Sequence, residues 1–186
     1  MTEVIFKYSF MVLGDVEKKV RMEVKIMYGR ILVGVDGSKI STKALETAAR
    51  LAAQDKADLF VFHAIQHHYH LPLIMVAPGL PYQSSYSVDT SDQDLHESFV
   101  KNGTRILEEA KQKIKAMSVK LASEADFRME MYQAPAEYAA DFARNYGIDL
   151  IVIGCKGHHT RARRTLMGTV ATKLLNDAPC QVLVVK

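Results

Sequence analysis

Ile-Asp-Leu-Ile-Val-Ile, residues 148–153, is a near-continuous apolar run that stops at Gly154. A strand with one wet face alternates apolar and polar residues. A run of this kind has both faces covered, and the usual cover is a layer of helices on each side of a parallel sheet. "RILVGVD" (30–36) reads the same way and ends at the turn Asp36-Gly37-Ser38. "DLFVFHAI" (58–65) is a further strand, and "CQVLVVK" (180–186), after Pro179, is the last. "DFRMEMY" (126–132) differs: it alternates apolar and charged residues, which predicts a half-exposed edge strand.

Helical spacing fills the intervals. Ala44, Leu45, Ala48, Ala49 and Ala52 give an apolar face to residues 40–53. Leu95, Phe99, Ile106, Ala110, Ile114, Met117 and Leu121 do so for a long helix over 94–122. Residues 136–147 form a short helix that Gly147 can end, and 169–177 form the last helix. Strands and helices therefore alternate, which specifies an α/β fold: a parallel sheet with helices on both faces. In such sheets ligands bind beyond the carboxyl ends of the strands, where the strand order reverses.

Composition narrows the function. A net charge of +3 is too small to argue for nucleic-acid binding, so any cationic site is local. No apolar run reaches the length of a membrane span, and the amino terminus lacks the layout of a signal peptide: Glu3 stands where cations belong and Lys7 interrupts the apolar stretch. Cys155 and Cys180 form no disulfide framework. The expected location is the cytoplasm, where the Asn102-Gly103-Thr104 sequon has no meaning.

Two segments stand outside the alternation. Residues 1–27 alternate in two stretches around Gly14-Asp15, as a β-hairpin would, and form an extension; Met27 would equally begin a tidy domain. Residues 66–92 form a long His-, Pro-, Ser- and Tyr-rich loop within the domain spanning 28–186. His67, His68, His70, His158 and His159 invite a metal, but no carboxylate or cysteine joins them at ligand spacing, so none is expected.

The chemistry concentrates in "GCKGHHTRARRTLMGT", residues 154–169, which follows the opening run. Gly154 and Gly157 permit close backbone approach. Gly168-Thr169 opens a helix whose free N–H groups favour an anion. Lys156, Arg161, Arg163 and Arg164 add positive charge, and the stretch has no acidic residue. That pattern suits phosphate, although neither G-x-x-x-x-G-K-[ST] nor G-x-G-x-x-G occurs; a plain turn between two helix caps is the other reading.

From Tyr28 to Lys186 the chain resembles the universal stress protein family. The resemblance rests on Gly154-x2-Gly157 followed by Gly168-Thr169, on Asp36 after the first strand, on His63 near the end of the second and on the closing "PCQVLVVK". The family spacing is G-x2-G-x9-G-[ST]; here the long interval holds ten residues, one more than the pattern. Ala64 is smaller than the usual aliphatic, and Gln133 stands where glycine is common.

The resemblance implies a five-stranded parallel sheet in order 3-2-1-4-5, of the adenine nucleotide α-hydrolase-like kind. It implies a homodimer, here through strand 180–186, and ATP binding, with AMP or ADP as alternatives and magnesium carried by the phosphates. By position, Gly34 and Asp36 would lie by base and ribose and Ala64 by adenine. Ile153 and Gly154 would touch base and ribose, and Gly157, Gly168, Thr169 and Val170 the phosphates. Such a protein regulates a stress response and is not expected to be an enzyme beyond slow ATP hydrolysis. The alternative is a dimeric scaffold of the same fold that binds no nucleotide.

Overall fold

The computed structural model describes residues 27–65, 90–131, 134–157 and 167–186. Five strands, β1 (Arg30–Gly34), β2 (Asp58–Ala64), β3 (Asp126–Glu130), β4 (Leu150–Gly154) and β5 (Gln181–Val185), alternate with four helices, α1 (Lys39–Asp55), α2 (Thr90–Ala116), α3 (Pro135–Tyr146) and α4 (Thr169–Asp177). The strands pair in parallel in the order β3-β2-β1-β4-β5. The order reverses between β1 and β4. That is the expected architecture, and the point of reversal lies between the two glycine-ended strands. The expected extension, the long loop as far as residue 89, Gln133 and the histidines at 67, 68, 70, 158 and 159 lie outside the described residues.

Helices α1 and α2 cover one face. Ile31, Val33, Val61 and Val152 pack there against Ala44, Leu45, Ala48 and Ala52 of α1 and Ile106, Ala110 and Ile114 of α2. The alanines let α1 lie close on β1 and β4. Helices α3 and α4 cover the other face, where Leu32, Phe62 and Ile151 meet Ala139, Phe142 and Leu174. Full burial of each such large side chain stabilises the fold by about 1.5–3 kcal/mol.

The helix ends follow the chain chemistry. Ser38 caps α1, its Oγ accepting the Ser41 N–H at 3.1 Å, and Lys56 closes it in the left-handed region at φ 56. Pro135 opens α3 and Gly147, at φ 60, closes it. Helix α2 differs from expectation: it begins at Thr90 and stops at Ala116 instead of running over 94–122. The Met117 N–H tightens onto Ile114 O at 3.1 Å, and Ser118 turns left-handed at φ 53, which ends the helix six residues early. Phe99 of the expected apolar stripe is exposed, while the same face buries Gly103 one turn further on.

Strand β3 is an edge, as its alternation predicts. Phe127 packs on the α2 side. Arg128 lies on the α3 side, its guanidinium 5.0 Å from the ring centres of both Phe142 and Tyr146 and bonded to Asp126 at 2.7 Å. The hydrogen bond to Asp126, and after it one to the Tyr146 hydroxyl, push its pKa above the usual arginine range.

Candidate functional site

Strands β1 and β4 end at Gly34 and Gly154, and each glycine admits a neighbour that a side chain would exclude. A Cβ on Gly34 would stand 2.8 Å from Ile153 Cδ1 and 3.0 Å from Phe62 Cζ. A Cβ on Gly154 would stand 2.9 Å from Ile40 Cγ2, so the first turn of α1 rests directly on the end of β4. Gly34 opens towards the α3–α4 face and Gly154 towards α1.

Asp36 follows one peptide beyond the β1 ladder. Its Oδ1 accepts the Ser38 N–H at 3.0 Å, and its own N–H donates to Ser41 Oγ at 3.3 Å. Ser41 Oγ in turn donates to Ser38 O at 2.9 Å. The turn 36–41 is thus closed by its own side chains. Gly157 lies against the same carboxylate: a Cβ there would be 2.9 Å from Asp36 Oδ2. The two stretches chosen from sequence, Asp36 and the glycine loop, are therefore in contact.

The loop is tied at its base. Cys155 N–H donates to Val185 O of β5, and Gly168 N–H donates to Cys155 O, both at 2.7 Å. The second bond places the start of α4 beside the end of β4. Gly168 is the N-cap of α4 and, having no side chain, makes no side-chain cap hydrogen bond. Thr169 and Val170 occupy the first two helical positions, where N–H groups have no partner within the helix. The two helix starts at this edge of the sheet differ. That of α1 is capped by the Ser38 side chain, whereas that of α4 has no cap from its own N-cap residue, and a helix start of that kind favours an anion.

Gly34, Asp36, Ile153, Gly154, Gly157, Gly168, Thr169 and Val170 all lie at the carboxyl ends of β1 and β4 or on the segments that follow them. Ala64 ends β2, one strand away, with its side chain on the α3 side beside Phe62. Lys156 is half-buried; Arg161, Arg163 and Arg164 lie outside the described residues. Ser38 was read as part of the turn, but its capping role, Ile40 and Ser41 were missed from sequence. The signal was present: Asp-x-Ser followed three residues later by Ser is the spacing of a turn that caps a helix.

A hollow of about 620 Å3 lies elsewhere, between β3 and α3, but Arg128 on its wall is already paired. Among the described residues, no group of three or more His, Cys, Asp or Glu side chains is arranged to hold a metal. No helix among them is long and apolar enough to cross a membrane.

The Universal stress protein family matches residues 27–186. The chain belongs to that family. Among similar proteins, universal stress protein YxiE of Bacillus subtilis is 29% identical over 163 residues, covering 86% of this chain and 100% of the relative. The universal stress protein UspA from Lactobacillus plantarum superimposes with a TM-score of 0.68 at 23% identity, over 87% of this chain and 100% of that one. A universal stress protein crystallised in complex with cAMP matches at a TM-score of 0.59 and 27% identity, over 86% of this chain and 98% of that one. This universal stress protein thus shares its fold with UspA across the full length of that chain.

Proposed function

We propose that this universal stress protein binds an adenine nucleotide across the carboxyl ends of β1 and β4. The observation that carries the reading is the contact chain Asp36–Gly157 and Cys155–Gly168, which brings a carboxylate acceptor next to a helix start that lacks a side-chain cap. An acceptor suits a ribose hydroxyl or an adenine amine; the helix start suits phosphate. The residues present fit such a ligand. Gly34, Ile153 and Gly154 line the base and ribose end, with Ala64 towards adenine. The phosphates lie over Gly157 and the N–H groups of Thr169 and Val170. Gly168 contributes by lacking a side chain, since its own N–H is engaged by Cys155 O. A family relative at 27% identity is described in complex with cAMP, which supports an adenine ligand.

The ligand favoured is ATP, with AMP or ADP in its place, and magnesium would arrive with the phosphates. The working unit is a homodimer joined through β5, acting as a cytoplasmic regulator of a stress response. Both cysteines are free thiols, as that compartment favours. Calorimetry with ATP on wild type and on Gly168→Val tests the site. The valine covers the start of α4, so binding should be lost while the thermal melt remains cooperative. Equal ATP binding by both proteins would place the site elsewhere. No binding by wild type, together with no nucleotide released on denaturing the purified protein, would favour the scaffold reading.

A further inference from the structure

The nucleotide turn is held from a second side, by β2. The β1–β2 ladder reaches Gly34 opposite Phe62, and Val35 N–H extends it by donating to Phe62 O at 2.9 Å. Strand β2 then continues beside β3, with Ala64 opposite Glu130, while β1 turns away into Asp36. The Val35 carbonyl is engaged by a side chain: His63 Nδ1 lies 2.7 Å from it. A carbonyl only accepts, so Nδ1 carries the proton in this contact. His63 is 9% exposed, and the bond joins residues 28 apart in sequence.

The seat of that ring is built by α2. Gly103 faces inward, and a Cβ there would stand 3.0 Å from His63 Cδ2, 3.0 Å from Ile65 Cδ1 and 3.1 Å from Met129 Sδ. Glycine is the least favourable helix-interior residue after proline. Here it gives the imidazole a notch in an otherwise apolar contact between α2 and the sheet. A polar ring kept in such a place, with a bonded partner, has a positional task that an aliphatic side chain would not perform.

We propose that His63, seated at Gly103, is the positioning residue of the Asp36 turn. Holding the Val35 carbonyl fixes the plane of the 35–36 peptide and so the direction in which Asp36 leaves β1. Beyond it, Ser38 and Ser41 help to close the turn. His63 sits on the β2 side of β1 and pulls the carbonyl away from β4, leaving the β1–β4 cleft to Asp36 and Gly157. The inference rests on the nucleotide reading only for its consequence; the geometry of the turn stands without it.

The test uses the full chain, with His63→Asn to keep an N–H donor near the Nδ1 position and His63→Leu to remove it. Amide hydrogen exchange by NMR, without ligand, reads the turn; calorimetry with AMP and with inorganic triphosphate reads the site. His63→Leu should speed exchange at the Ser38 amide about tenfold and weaken AMP about tenfold, while triphosphate changes by less than about twofold. His63→Asn should stay within about threefold of wild type in both. Unchanged exchange in His63→Leu, or equal damage in both variants, would overturn the proposal. Should His63→Leu fail to fold, Gly103→Ala replaces it. It keeps every donor but crowds the ring, and exchange across 35–38 as slow as in wild type would overturn the proposal equally. A wild type that binds no AMP would refute the nucleotide reading and leave the exchange result to decide the role of His63.

Discussion

Asp36 has two tasks that a substitution separates. Its Oδ1 holds the Ser38 N–H, and its carboxylate faces Gly157. Asp36→Asn keeps an acceptor for Ser38, whereas Asp36→Ala removes it. If the carboxylate recognises ribose or base, Asp36→Ala should weaken AMP and ATP about tenfold or more and inorganic triphosphate by less than about twofold. Calorimetry with the three ligands decides, and equal losses would remove Asp36 from base or ribose recognition. Asp36 was legible in the sequence because it ends an apolar run at a turn. The places of Gly154, Gly157 and Gly168 were legible too, after a buried strand and at the opening of a helix. His63 and Gly103 were not legible in these roles. A histidine in a strand and a glycine in a sequon show their purpose only once α2 and β2 are packed together.

The elements themselves were readable because nearly every strand is either apolar on both faces or, in β3, charged on one. The helix boundaries were less so. An apolar stripe continues past Ala116 through Met117 and Leu121, and both are still packed on the core after the chain has left the helix. Periodicity therefore reported burial correctly and helicity wrongly over that stretch. The two helices on this face are joined by Lys113 and Glu46, 2.7 Å apart. The hydrogen bond from Lys113 is the largest influence holding the Glu46 carboxyl below its usual range. A depressed folded-state pKa gives stability that is present above the unfolded carboxylate value and is lost as pH falls through the folded one. Both side chains are partly exposed, so solvent screening limits the pair to about 0.5 kcal/mol. A double-mutant cycle with Glu46→Gln and Lys113→Met, by urea unfolding, should show that coupling at pH 7 and none near pH 2. Coupling that persists in acid would mean the pair acts through packing instead.

The whole sheet has two edges of opposite character. Were β3 to pair antiparallel with a copy of itself about Arg128, Arg128 would face Arg128 and Asp126 would face Glu130, like against like. Strand β5, Gln181–Val185, has no charge, and an edge of that kind invites a partner. The dimer should therefore form through β5 about a two-fold axis. Sedimentation of the full chain and of a chain beginning at Met27 checks this. Dimers in both cases are expected. Monomers at every concentration in both would refute it, and dimers only after truncation would show that residues 1–27 cover the edge. The bond from Gly168 N–H to Cys155 O has a consequence for heredity as well as for binding. It shuts the intervening chain into a ring whose gate is backbone, indifferent to side-chain identity. Closing a ring costs free energy that grows only with the logarithm of its length, so one added residue changes it by about 0.1 kcal/mol. Insertions and substitutions between the two posts can accumulate while the posts stay where they are, and a lineage can revise what the ring touches without rebuilding the sheet beneath it.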